Sequence, residues 1–177
     1  RKKKNVMASA GTKASPSGSK DVRVDVTNAV NEYFNALDDR DWETALDFFE
    51  DTYDSDYTSI GAPVMKGLSR DVNKQAWSGM LAGFDSTHHQ VGNHVVRLLG
   101  LEGQVAQVRL KGTATHMLTL EDELHEWVTA GTYEMKLRLD ASEKWRLFSI
   151  VYKQAWVKGD PGLMGKASVA AAAGETK

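Results

Sequence analysis

The spacing of apolar residues changes once along the chain, and that change divides it into a helical half and a stranded half. Val26, Val30, Tyr33, Phe34 and Leu37 recur at three- and four-residue intervals, with Thr27 near the start as a candidate cap, which predicts an amphipathic helix. Trp42, Ala45, Leu46 and Phe49 line one face of a second helix over 41–50, with Asp41 and Glu43 at its positive end. Residues 53–60 read as a short strand, Gly61 and Pro63 as a turn, and 64–66 as its partner. Ser69 then caps a third helix over 70–82, where Val72, Ala76 and Met80 repeat every four residues. From residue 86 the period falls to two, over 86–99, 104–118, 124–139 and 144–157. The third of these segments is the clearest: Trp127, Thr129, Gly131, Tyr133, Met135 and Leu137 alternate with charged residues such as Glu134, Lys136 and Arg138.

This order predicts an α+β fold, a cone formed by a curved antiparallel sheet with three N-terminal helices packed over its concave face. A sheet bent and covered on one side encloses a cavity, the usual place for a ligand. The expected organisation is a basic low-complexity tail over 1–20, the α+β domain over 21–158, and a lid with an Ala-rich tail over 159–177. Neither tail has the apolar periodicity to fold alone.

At 177 residues the chain is long enough for one core, and with no cysteine it has no disulfide, thiol nucleophile or thiolate metal site. No apolar run is long enough to span a membrane. The net charge of −2 hides six basic and no acidic residues in 1–20, which leaves 16 basic against 24 acidic residues in the remainder. So acidic a body argues against nucleic acid as a partner. The basic, Ser/Ala-rich start has the composition of a processed organelle transit peptide and equally of a solvated tail. The compartment is read as cytoplasmic or organellar. A larger protein assembly reached through that tail, or a homo-oligomer through an exposed sheet face carrying Trp145 or Trp156, is the protein partner expected.

All five histidines fall between residues 88 and 125. Strand alternation sets His89 on one face with Val91 and Asn93, and sets His116 on the apolar face of the next strand with Val108, Leu110 and Ala114. Two imidazoles converging in an apolar pocket suit proton transfer beside a carbonyl. Asp38 closes the first helix, where a carboxylate opposes the helix dipole unless something stabilises it, and Tyr57 follows Asp56 in the first strand. The tyrosine by itself reads as ordinary strand packing and the aspartate equally as a solvated helix end. Metal is set aside because no His-x-His or His-Glu-x-x-His pattern occurs and neighbouring His88 and His89 face opposite ways.

These residues lie in motifs that resemble scytalone dehydratases, in the SnoaL-like or nuclear-transport-factor-like superfamily. They are Asp38-Asp39-Arg40-Asp41-Trp42, Asp56-Tyr57-Thr58-Ser59, Thr87-His88-His89-Gln90-Val91-Gly92 and Thr115-His116. The resemblance implies a dehydratase-like lyase or isomerase working without a metal or organic cofactor on a small cyclic or aromatic carbonyl compound. His89 and His116 would be its acid and base, Asp38 would orient His116, and Tyr57 would polarise the carbonyl. Thr129, Gly131, Asn93 and Tyr133 would contact the substrate. Leu37 stands where that family has a second tyrosine and Gly131 where it has an asparagine, which implies a different substrate in a wider or more apolar pocket. The alternative within the same fold is a non-catalytic ligand-binding or scaffold subunit; a polyketide cyclase with another acid/base layout is a third reading. Gly159-Asp160-Pro161-Gly162-Leu163 resembles a stretch that follows the last strand in many such proteins and is expected to cover the cone mouth.

Overall fold

A computed structural model describes residues 21–100 and 104–173. The basic tail over 1–20 lies outside them, as does the assembly role expected of it. Helix α1 (Val22–Asp38) is capped by the Asp21 carboxylate, which accepts from the Arg23 N–H, and buries Val26, Val30, Tyr33, Phe34 and Leu37. Helix α2 (Trp42–Asp47) is capped by Asp41 and is shorter than its sequence pattern suggested. Its apolar continuation, Phe48 and Phe49, leaves the helix and turns into strand β1 (Phe49–Asp56). The first strand therefore starts four residues earlier than expected. Tyr57 lies just beyond it, capping a 3-10 turn (Thr58–Ile60) that leads through Gly61, at φ 85°, to β2 (Val64–Ser69). Ser69 caps α3 (Arg70–Met80).

Four long strands follow: β3 (Ser86–Leu99), β4 (Val105–Leu120), β5 (Glu123–Leu139) and β6 (Trp145–Gly159). The single sheet has the order β2-β1-β6-β5-β4-β3. All its pairings are antiparallel except β1 with β6, which is parallel. A hairpin fixes the direction of each later strand, whereas β1 reaches β6 only through the rest of the chain. One side of β4 is buried at every second residue, Ala106, Val108, Leu110, Ala114 and His116 among them, as alternation required. Ala106, Val108 and Leu110, with Met135, Leu137, Leu147 and Ile150, meet α1 in the main core. Trp145 belongs to that core, whereas Trp156 is half exposed on the opposite face.

The C-terminal segment differs most from expectation. Where a lid and an Ala-rich tail unable to fold alone were expected, Leu163–Ala172 form helix α4, with Pro161 and Met164 lining the cavity. Leu163 and Ala167 are fully buried and join Phe84, Leu118 and Trp127 in a second, smaller core. Its backbone runs so close to Gly83 that a Cβ there would collide with the Ala167 carbonyl oxygen. Gly83→Ala is therefore expected to push α4 away and to lower stability by about 1–3 kcal/mol. A shift of the urea midpoint measures it; an unchanged midpoint would mean α4 is not docked as described.

Candidate active site

The concave face of the sheet, closed by α1, α3 and the start of α4, encloses a cavity of about 720 Å³, within the size range of small-ligand sites. Its walls are largely aromatic, with Phe34, Phe49, Trp77, Trp127, Tyr133 and Tyr152 among them. At one end α1 stops against the edge strand β3. The Asp38 carboxylate, at the helix end where the dipole disfavours it, accepts from the Thr87 hydroxyl (2.9 Å), the His89 main-chain N–H (2.5 Å) and His89 Nδ1–H (2.7 Å). Burial alone would raise this carboxyl, yet the His89 ring and N–H and the Thr87 hydroxyl outweigh it and hold Asp38 below the ordinary carboxylate value. Asp38 thus fixes His89 with Nδ1 protonated against it.

His116 lies one strand further in. Its Nδ1–H donates to the Trp127 carbonyl across the β4–β5 ladder (3.2 Å), and its ring is stacked on Trp127 at 4.4 Å with Phe84 at 5.0 Å. Burial, followed by the nearby charge of His89, pushes His116 down to about 4. At neutral pH it is an uncharged imidazole whose Nδ1–H faces a carbonyl, which leaves the Nε2 lone pair free. The two histidine rings stand 6.0 Å apart, edge to face. Neither Nε2 has a partner among the described residues, and neither is sealed from space.

The expected pairing of Asp38 with His116 is therefore corrected: Asp38 holds His89. The helix carrying Asp38 docks on β3, and the cross-strand neighbour of His116 already occupies its Nδ1. Asn93 also departs from expectation. A bulge between Gly92 and Val95, with Asn93 at φ 54°, resets the alternation, so Asn93 is exposed and does not line the cavity. Gly131 lines no part of it either. A Cβ at Gly131 would come within 2.5 Å of the Lys153 carbonyl and 2.6 Å of the Tyr152 ring, so the glycine admits Tyr152 instead of enlarging the pocket.

Its cross-strand partner Gly112 does the same for Tyr133, whose ring would meet a Cβ there at 2.8 Å. Tyr133 and Tyr152 pack with ring centres 4.7 Å apart, and Tyr57 lies 5.9 Å beyond Tyr152. Burial raises the Tyr57 and Tyr133 phenols well above their ordinary value, so both are protonated donors at neutral pH. Thr129 lines the cavity and meets the Tyr152 hydroxyl and the Gln154 amide, each at 3.0 Å. Tyr152 and Gln154 were not singled out from sequence. They share the inward phase of Ile150, and a glutamine in that phase was the available signal. Among the described residues no trio of His, Asp or Glu gathers as a metal site, and no helix is long and apolar enough to cross a membrane.

A cone of this topology around such a cavity places the chain in the SnoaL-like class. It belongs to the SnoaL-like domain family, whose pattern matches residues 20–151. Among solved structures it is similar to the Kfla4162 protein of Kribbella flavida (21% identity, 84% of this chain and 95% of that one, TM-score 0.69). A proposed scytalone dehydratase of Novosphingobium aromaticivorans is similar at 19% identity, over 77% and 86% of the two chains, with TM-score 0.66. A hexachlorocyclohexane dehydrochlorinase, LinA type 2, is similar at 12% identity over 80% and 90%, with TM-score 0.62. At these identities the likeness is one of fold. No curated protein sequence matches the chain.

Proposed function

We propose that this protein is a cofactor-free lyase or isomerase that removes a proton beside the carbonyl of a small cyclic or aromatic compound, with His89 as the base. The observation that carries this reading is the Asp38–His89 pair opening into an aromatic-walled cavity next to a neutral His116. With Nδ1–H bound to Asp38, His89 presents Nε2 to the cavity, and the carboxylate stabilises the imidazolium that forms when Nε2 takes a proton. Tyr57 or Tyr133 donates to the carbonyl oxygen as charge develops on it. In the elimination, the C–H bond breaks, its electron pair forms the new C=C bond, and the C–O bond of a hydroxyl on the adjacent carbon breaks. The proton held by His89 then returns to that oxygen, which leaves as water. His116 Nε2 accepts a hydrogen bond from the same hydroxyl and orients it. Two of the similar structures carry names that denote eliminations, of water and of hydrogen chloride, which is in keeping with this chemistry.

The first half-reaction can be tested without the true substrate. In D₂O, the wild type is expected to catalyse loss of the α-proton NMR signal of 2-tetralone, and His89→Gln to slow it by about 10²–10⁴-fold. Binding without exchange would turn the reading to a non-catalytic ligand-binding protein of the same fold, for which the aromatic cavity alone suffices.

A further inference from the structure

A second polar group sits in the same cavity, away from the histidines. Asn73, on α3, is 7% exposed although its helix neighbours Asp71, Lys74 and Gln75 face solvent. Tyr53, on β1 and 6% exposed, donates its hydroxyl to Asn73 Oδ1 at 2.6 Å. No other acceptor for that hydroxyl is found among the described residues, so donation to Oδ1 is what satisfies the tyrosine proton and fixes the amide. Its other end, Nδ2, is then buried with no acceptor among the described residues. Asn73, Tyr53 and the buried Ser55 all line the cavity. In the sheet, β1 and β4 are separated by β6 and β5, so Tyr53 and His116 lie three strands apart. Between the two groups the walls are rings: His89, Phe34, Tyr33, Phe49 and Tyr53 follow one another at centre-to-centre distances of 5.5, 4.9, 5.4 and 4.7 Å.

We infer that Asn73, held by Tyr53, is a specificity-determining residue that, by a small turn of its amide toward the cavity, donates Nδ2–H to an oxygen acceptor on the end of the substrate remote from its reacting carbon. The inference rests on the proposed function and narrows its substrate class. The ligand is a flat, mainly apolar ring system with oxygen at both ends, a carbonyl toward His89 and an ether, hydroxyl or second carbonyl toward α3. A buried amide N–H without an acceptor is a costly feature of a core, and a ligand oxygen that pairs with it recovers about the worth of one neutral hydrogen bond.

The test is binding of 2-tetralone and 6-methoxy-2-tetralone, followed by quenching of the cavity tryptophans. The methoxy oxygen accepts but cannot donate, which matches Nδ2–H. Wild type is expected to bind the methoxy compound about three- to tenfold more tightly, a ratio typical of one neutral hydrogen bond. Asn73→Leu is expected to bring the ratio to about one, and Asn73→Asp, read at pH 9 where the ionised carboxylate offers only acceptors, to invert it. Should Asn73→Leu fail to fold, Asn73→Asp decides on the same ratio. If wild type binds both ketones without preference, or a folded Asn73 variant keeps the preference, this inference is overturned while the reading of the cavity stands. If wild type binds neither ketone, the proposed function falls and takes the inference with it.

Discussion

Asp38→Asn is expected to slow α-proton exchange of a bound ketone by about 10²–10⁴-fold while the fold survives. A carboxylate accepts three hydrogen bonds here, from Thr87, the His89 main chain and His89 Nδ1–H. An amide of the same shape offers one oxygen and one NH₂. If the oxygen keeps the main-chain N–H, the NH₂ faces the imidazole and requires Nδ1 to accept. His89 would then carry its proton on Nε2, pointing into the cavity where a lone pair is needed. The variant loses the base by changing its tautomer, with the ring still in place. Exchange measured beside a thermal melt tells this from unfolding, and a variant that exchanges at the wild-type rate would remove Asp38 from the mechanism. The same carboxylate contributes to stability. Its folded-state pKa is depressed, so its contribution is present above the unfolded value and is lost as pH falls through the folded one, below about 3.8.

The parts of this site that could be read from sequence are those that depend on local period. Alternation over β4 and β5 put His116, Thr129 and Tyr133 on the inward face, and the three-four spacing of α1 ended at Asp38. What was not legible depends on where separate elements meet. Which histidine Asp38 holds is decided by α1 docking on the edge strand, and a chain of residues with no contact map leaves both histidines as candidates. Asn93 was misplaced because one bulge reverses the phase of a strand, and bulges have no reliable sequence mark short of a residue with positive φ. Helix α4 was missed because its buried face consists of little more than Leu163 and Ala167 within an Ala-rich run, too few large side chains to show a period. Asn73 was hidden differently: among charged neighbours in an amphipathic helix it reads as one more solvated residue, and only its partner Tyr53, 20 positions away, shows that it faces inward.

Stability should also fall between pH 7 and pH 4, through His116 in particular. Its pKa is 6.5 as a free side chain and about 4 in the fold, lowered by burial and then by the charge of His89. Between those values the unfolded chain binds a proton that the native state refuses, so native stability is complete above pH 6.5 and declines as pH falls toward 4. A shift of that size corresponds to about 3 kcal/mol, as an order of magnitude. His94, also lowered by burial, adds a loss of the same sign. Asp47 and Asp140, held low by hydrogen bonds from Lys144 and Arg146, are lost only at more acid pH. Comparing wild type with His116→Gln by urea unfolding at pH 7 and pH 4 isolates the His116 share. The wild type should lose about 3 kcal/mol more than the variant, and equal losses would mean that His116 is not a buried neutral imidazole. The result bears on catalysis as well as stability. A ring that remains uncharged down to pH 4 is a poor proton donor at neutral pH, so a proton that reaches a leaving group must come from His89, which has just received one, and His116 acts there as an acceptor that fixes the geometry.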